Sequence, residues 1–120
     1  MATIFERYGG FSTIRRIVSD FYDRVLDDSA LAKHFENVDL PALIDHQTKF
    51  IMTITGGPAN TTNEQLRRAH ARLGVTQGEF RRVVTILEET LDDHNMQPED
   101  VAVVIREVND REAYVVTKAG

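Results

Sequence analysis

The sequence predicts an all-α fold, and three observations carry that reading. Apolar residues recur at steps of three and four in four separate segments, the pattern of helices that bury one face. Helix-start and helix-stop residues sit at the ends of those segments. No stretch alternates apolar and polar residues in the manner of a half-buried strand. A chain of 120 residues with 42% hydrophobic content suits one domain over residues 1–120, built on one core.

Taken in order, Gly9-Gly10 separates a brief N-terminal helix from the first long one, whose stripe is Ile14, Ile17, Val18, Phe21, Tyr22, Val25 and Leu26. The second stripe is Leu40, Leu43, Ile44, Gln47, Phe50, Ile51 and Ile54. Pro41 lies near its start, where a missing amide proton costs nothing, and Gly56-Gly57-Pro58 ends it. Thr55 to Glu64 forms a long loop for so small a domain, with two glycines, a proline and two asparagines. Thr62 and Gln65 have the spacing of a capping box ahead of a short helix, Gln65 to Leu73, closed by Gly74. Thr76 and Glu79 repeat the box before the third stripe, Phe80, Val83, Val84, Leu87 and Leu91. Pro98 opens the fourth, Val101, Val104, Ile105 and Val108, which extends toward Val115.

Composition narrows the chemistry. A net charge of −5 argues against a general nucleic-acid binder, which needs a basic field. Cysteine is absent, so thiolate metal sites, disulfides and thiol catalysis are excluded, and histidine and carboxylate remain as metal ligands. No apolar run is long enough for a bilayer, and the start Met-Ala-Thr-Ile-Phe-Glu-Arg lacks a secretory signal, so a cytoplasmic location is expected. A small core of this kind is marginal, and a large apolar ligand bound within it would add stability.

His70 carries the most chemical information. It lies on the short helix Leu66-Arg67-Arg68-Ala69-His70, hung between a loop and two long helices, which suits positioning a ligand more than building a core. A neutral imidazole is the commonest side-chain ligand of transition metals. Read singly, however, His70 is equally a partly exposed surface residue, Tyr22 a boundary residue with a solvated hydroxyl, and Phe35 and Phe50 plain core. Gln47 is harder to dismiss, because an unpaired buried amide costs about 1–3 kcal/mol.

Co-occurrence changes those readings. The pattern Tyr8-Gly9-Gly10, Phe21-Tyr22-x-x-Val25-Leu26-x-Asp28, His34-Phe35, Asp39-Leu40, His46-Gln47-x-x-Phe50, Gly56-Gly57-Pro58 and Ala69-His70 resembles the group I truncated haemoglobins along essentially the whole chain. The resemblance implies a two-over-two helical sandwich enclosing a haem, with His70 as the proximal iron ligand. Phe35 would pack on the porphyrin face, and Tyr22 would project into the distal pocket, which Leu43, His46 and Gln47 face from the distal helix. Lys49, Phe50, Leu66, Leu73, Phe80 and Val84 complete the expected cofactor contacts. Tyr22 and Gln47 would act on the bound gas, because a dioxygen ligand carries partial negative charge that a phenol or amide proton stabilises.

His46 stays open. Some relatives use a histidine there as a second iron ligand, and in others the residue points to solvent near a propionate. Leu43 replaces the glutamine of several bis-histidine relatives. Ile51 stands where some relatives carry a phenylalanine linked to a ligand tunnel, and the 58–62 loop lacks their tyrosine. No histidine near the C-terminus is placed to attach to a haem vinyl, so a removable haem b is expected. Of the other histidines, His34 is expected to face solvent and His94 to sit near a helix end, where a partly cationic ring suits the dipole. The arginines at 67, 68, 72, 81 and 82 read as a solvated face from which one or two, like Lys49, could pair with haem propionates.

The function so implied is binding of dioxygen, carbon monoxide and nitric oxide, with nitric oxide dioxygenation if an external reductase supplies electrons. The expected state is a monomer or weak dimer, with neither nucleic acid nor membrane as partner. A bis-histidine redox or ligand-sensing module is the alternative, and a cofactor-free helical interaction domain is the reading from another class.

Overall fold

The computed structural model describes residues 2–71 and 73–117. Its helices are α1 (Ile4–Arg7), α2 (Phe11–Leu26), α3 (Ser29–Ala32), a 3₁₀ turn (Lys33–Phe35), α4 (Leu40–Thr55), α5 (Asn63–His70), α6 (Gln77–Asp93), α7 (Pro98–Asn109) and α8 (Glu112–Val115). The all-α expectation holds, since no strand occurs among the described residues. No helix there is long and apolar enough to cross a membrane. Two helix pairs, α2 with α4 and α6 with α7, meet where α2 lies against α6. The most completely buried side chains, among them Ile14, Val18, Leu66, Leu91 and Val104, come from four of these helices and from α5.

The local signals act as expected at most helix ends. Asp39 caps α4 by accepting from the Ala42 amide, with Pro41 in the first turn. Gly56 closes α4 at φ 89°, a left-handed conformation that suits glycine, and a Cβ there would lie 2.9 Å from Thr3. Both expected capping boxes form, Thr62 with Gln65 and Thr76 with Glu79, and Thr3 with Glu6 makes a third.

Three boundaries depart from the sequence reading. With Thr62 as the cap, α5 begins at Asn63 rather than Gln65, and it stops at His70 rather than Leu73. The fourth stripe does not run on as one helix to Val115. Instead α7 ends at Asn109, and Arg111 donates from Nη1 to the Glu107 carbonyl at 2.8 Å, satisfying an acceptor near the helix end. The chain then folds α8 against α5. In α6 the buried face is rotated from the expected one: Ile86 and Thr90 are buried with Phe80, Leu87 and Leu91, while Val83 and Val84 are only half-buried.

The N-terminal helix is tied to α7 through Asp100, which is 6% exposed. Arg7 donates to both carboxylate oxygens at 2.7 and 2.9 Å, and the Tyr8 hydroxyl donates to the same group while accepting from the Gln97 amide at 2.9 Å. Arg7, and then Tyr8, hold the Asp100 carboxyl below the usual carboxylate range. Asp100→Ala therefore removes charge-assisted bonds while leaving a half-exposed Arg7 that water can solvate. The expected loss is about 2–3 kcal/mol of unfolding free energy, read from urea denaturation. An unchanged midpoint would show that this network adds nothing to stability.

Candidate functional site

Between α2, α4, α5, α6 and the α7–α8 corner lies an apolar cavity, part of it open to solvent. Helix α2 contributes Val18, Phe21, Tyr22 and Val25, and α4 contributes Leu43, Gln47, Phe50 and Ile51. Leu66, His70, Leu73 and Val75 form the opposite wall, with Phe80, Val83 and Leu87 from α6 and Val108, Arg111 and Val115 beyond. Few polar groups interrupt this lining, and they define its chemistry.

His70 is the last residue of α5 and is 8% exposed. Leu66, one turn earlier and 1% exposed, anchors the helix in the core and offers its carbonyl to His70 Nδ1 at 2.7 Å. A carbonyl only accepts, so Nδ1 carries the ring proton and Nε2 is left with a free lone pair. Nε2 in turn lies 3.4 Å from the Gln47 amide nitrogen, across the cavity from its own helix. Burial pushes the His70 pKa down, opposed by the Leu66 bond and reinforced by nearby His46. The ring is thus a neutral, single-tautomer imidazole, the form that ligates a transition metal.

On the facing wall Tyr22 is 6% exposed, with its ring edge-on to Phe21 at 4.9 Å and to Phe35 at 5.9 Å. Burial raises its pKa, and the Gln47 amide beside the hydroxyl acts in the opposite sense. The phenol therefore keeps its proton at neutral pH and remains a donor. Gln47 stands between the two rings, within reach of both.

The cavity brings together Tyr22, Phe35, Leu43, Gln47, Phe50, Leu66, His70, Leu73 and Phe80. It does not bring in His46, Lys49 or Val84. His46 is offset from Gln47 around α4 by about 100°. With Lys49 it lines a separate open depression alongside Phe11, Met52, Pro58 and Gln65. Its Nε2 is shielded from solvent without a hydrogen-bond partner, and burial, then Lys49, lowers its pKa. On α6 the cavity-facing positions are 80, 83 and 87, so Val83 lines the wall where Val84 was expected.

One histidine reading needs correction. His34 does not face solvent: its side chain is 13% exposed, with Nδ1 bonded to the Leu73 carbonyl and Nε2 to Glu79, each at 2.7 Å. His94 sits at the end of α6 as expected, and its ring also meets a carboxylate, Asp20 at 2.9 Å. Among the arginines, Arg67 and Arg68 pair with Glu64, and Arg67 also lies over the Tyr114 ring. Arg82 pairs with Asp28, while Arg72 lies outside the described residues. Val18, Val25, Leu87 and Val108 belong to expected apolar stripes, but nothing in their spacing distinguished cavity wall from core. No sequence signal pointed to Arg111, which reaches the cavity only because α7 ends early.

The bacterial-like globin family matches residues 3–116. The group 1 truncated haemoglobin GlbN of Synechocystis sp. is 30% identical over 112 residues, covering 90% of each chain. The chain belongs to the group 1 truncated haemoglobins. This truncated globin is also similar to the solved 2/2 haemoglobin of Synechococcus sp., which has covalently attached haem, with a TM-score of 0.87, 25% identity and coverage of 98% and 100% of the two chains. The truncated haemoglobin of Tetrahymena pyriformis shares the fold at a TM-score of 0.85 and 23% identity, with the same coverage. The expected two-over-two helical architecture is confirmed by these likenesses.

Proposed function

We propose that this truncated globin holds a haem b between His70 and the Tyr22–Gln47 wall and binds dioxygen and related diatomic gases there. Family membership supports haem-based gas binding in general. The observation that carries the reading for this chain is the His70 ring, buried, fixed in one tautomer by Leu66 and presenting Nε2 to an apolar cavity. This donor set fits haem: one imidazole for the iron, aromatic and aliphatic walls for the macrocycle, and two neutral donors opposite.

Haem supplies an iron centre that binds dioxygen, carbon monoxide and nitric oxide reversibly. The protein does the rest. His70 would hold the metal through Nε2, and its Nδ1–H bond to Leu66 fixes the ring plane and raises the basicity of Nε2. Phe35, Leu43, Leu73 and Phe80 present apolar walls to the ligand. Tyr22 and Gln47 aim hydrogen-bond donors at the side opposite His70. Gln47 lies within 3.4 Å of His70 Nε2, so its side chain would have to turn away from His70 for a haem to bind there. Dioxygenation of nitric oxide to nitrate consumes one electron per turnover, supplied in this reading by a separate cytoplasmic reductase. The protein acts as a monomer or weak dimer. Titrating the chain with haem tests the central step: a 1:1 endpoint with a Soret band typical of histidine-ligated haem supports it, and absence of saturable uptake refutes it.

The position of His46 in the second depression favours an iron without a second histidine. On this basis the ferric protein at neutral pH is expected to be largely high-spin, with His46→Leu changing the spectrum little. The bis-histidine reading has one observation of its own, the shielded and unbonded Nε2 of His46, which coordination would satisfy. It requires a low-spin ferric spectrum that His46→Leu converts to high-spin, and a carbon monoxide binding phase whose rate saturates.

A further inference from the structure

His34 links two segments that line the cavity, its own 3₁₀ turn and Leu73. Its ring belongs to the 3₁₀ turn that carries Phe35, and Phe35 lines the cavity beside Tyr22. One ring nitrogen bonds to the carbonyl of Leu73, a residue of the opposite wall whose own amide donates to the His70 carbonyl at 3.1 Å. The other bonds to the Glu79 carboxylate in the first turn of α6. Both partners are acceptors, so both nitrogens must donate, and only the imidazolium can do so. Glu79 is suited to this role, because His34, followed by the Thr76 amide and hydroxyl, brings its pKa down to about 2 against the opposing cost of burial. The charged groups that face the ring are Glu79 from α6 and Lys33 from its own turn, the latter 3.9 Å from Glu79.

We propose that His34 is a positioning residue for the cofactor cavity: its doubly bonded ring clamps the Phe35 wall to the Leu73 wall and controls how fast haem leaves. This rests on the haem reading above. With the clamp closed, Leu73 is held against α6 through the His34 ring. Loss of either bond frees the two walls to part, and the predicted consequence is faster loss of haem.

The test is transfer of ferric haem from the reconstituted full chain to an excess of apomyoglobin at neutral pH. Wild type is expected to lose haem slowly. His34→Gln, which cannot satisfy both acceptors, should lose haem about tenfold faster, the size expected for one charge-assisted bond. A permanent double donor, His34→Arg, should restore slow loss, which a merely space-filling role of the ring would not predict. Loss from His34→Gln within about twofold of wild type, or loss from His34→Arg as fast as from His34→Gln, overturns the clamp. Failure of the wild-type chain to take up haem overturns the haem reading and the clamp together.

Discussion

Replacing His70 with alanine is expected to weaken haem retention by more than about 100-fold, since losing even a partner that supports a metal ligand costs about 10–100-fold. Nε2 of His70 presents an unprotonated lone pair to the cavity, met there by the Gln47 amide, because Leu66 engages Nδ1. Among the described residues, no other side chain lining the cavity is a good permanent iron ligand. Gln47 offers an amide, Tyr22 is a phenol whose proton burial makes harder to remove, and Arg111 is a cation. The substitution also removes the bond to the Leu66 carbonyl, so a general loosening of α5 must be told apart from loss of the ligand. Added imidazole does this: it fills the space left by the ring, restores an axial nitrogen and should recover the haem spectrum. Normal haem retention and an unchanged ferrous–carbon monoxide spectrum in His70→Ala would remove His70 from the coordination sphere.

The second large effect falls on oxygen release. Dioxygen on a ferrous iron is polarised, while carbon monoxide is nearly non-polar, so hydrogen-bond donors favour the first selectively. In a cavity lined almost wholly by apolar side chains, a hydrogen bond contributes about 1–2 kcal/mol net, and each 1.4 kcal/mol is about tenfold in rate. Tyr22→Phe keeps the ring against Phe21 and Phe35 and deletes only the hydroxyl. Oxygen dissociation should rise by about 5–30-fold, with a much smaller change for carbon monoxide. Gln47→Leu should act in the same direction. Because the Gln47 amide lies beside the Tyr22 hydroxyl, the two donors share one network, and the double variant should be less than additive. Stopped-flow oxygen release reads all three. Unchanged release in both single variants would mean that the donors serve the fold and not the ligand.

Helix existence and most helix ends followed from local chemistry, since a capping threonine, a left-handed glycine or an N-terminal proline acts within one turn of itself. What local pattern could not supply was the relation between distant segments. His34 looked solvent-facing because its partners, Leu73 and Glu79, lie 39 and 45 residues away. Val83 and Val84 are adjacent apolar residues on one helix, and only packing against α2 and α7 decides which of them lines the cavity. The end of α7 at Asn109 was equally hidden, because the apolar spacing continues to Val115 while the backbone turns to lay α8 on α5. Gln47 stood out as a polar residue on an apolar stripe, whereas His70 and Tyr22, read singly, had ordinary surface and boundary readings. Their co-occurrence with Phe35, Gln47 and Phe50 in one family pattern is what made them legible.

The ferrous spectrum of the haem-reconstituted protein, recorded without and then with dioxygen, tests the whole account most directly. With His70 as the single protein ligand, the gas-free ferrous form should be five-coordinate and high-spin. It should shift to a six-coordinate spectrum on adding dioxygen and return when the gas is removed. A gas-free ferrous spectrum already six-coordinate and low-spin, unaltered by dioxygen, would contradict it.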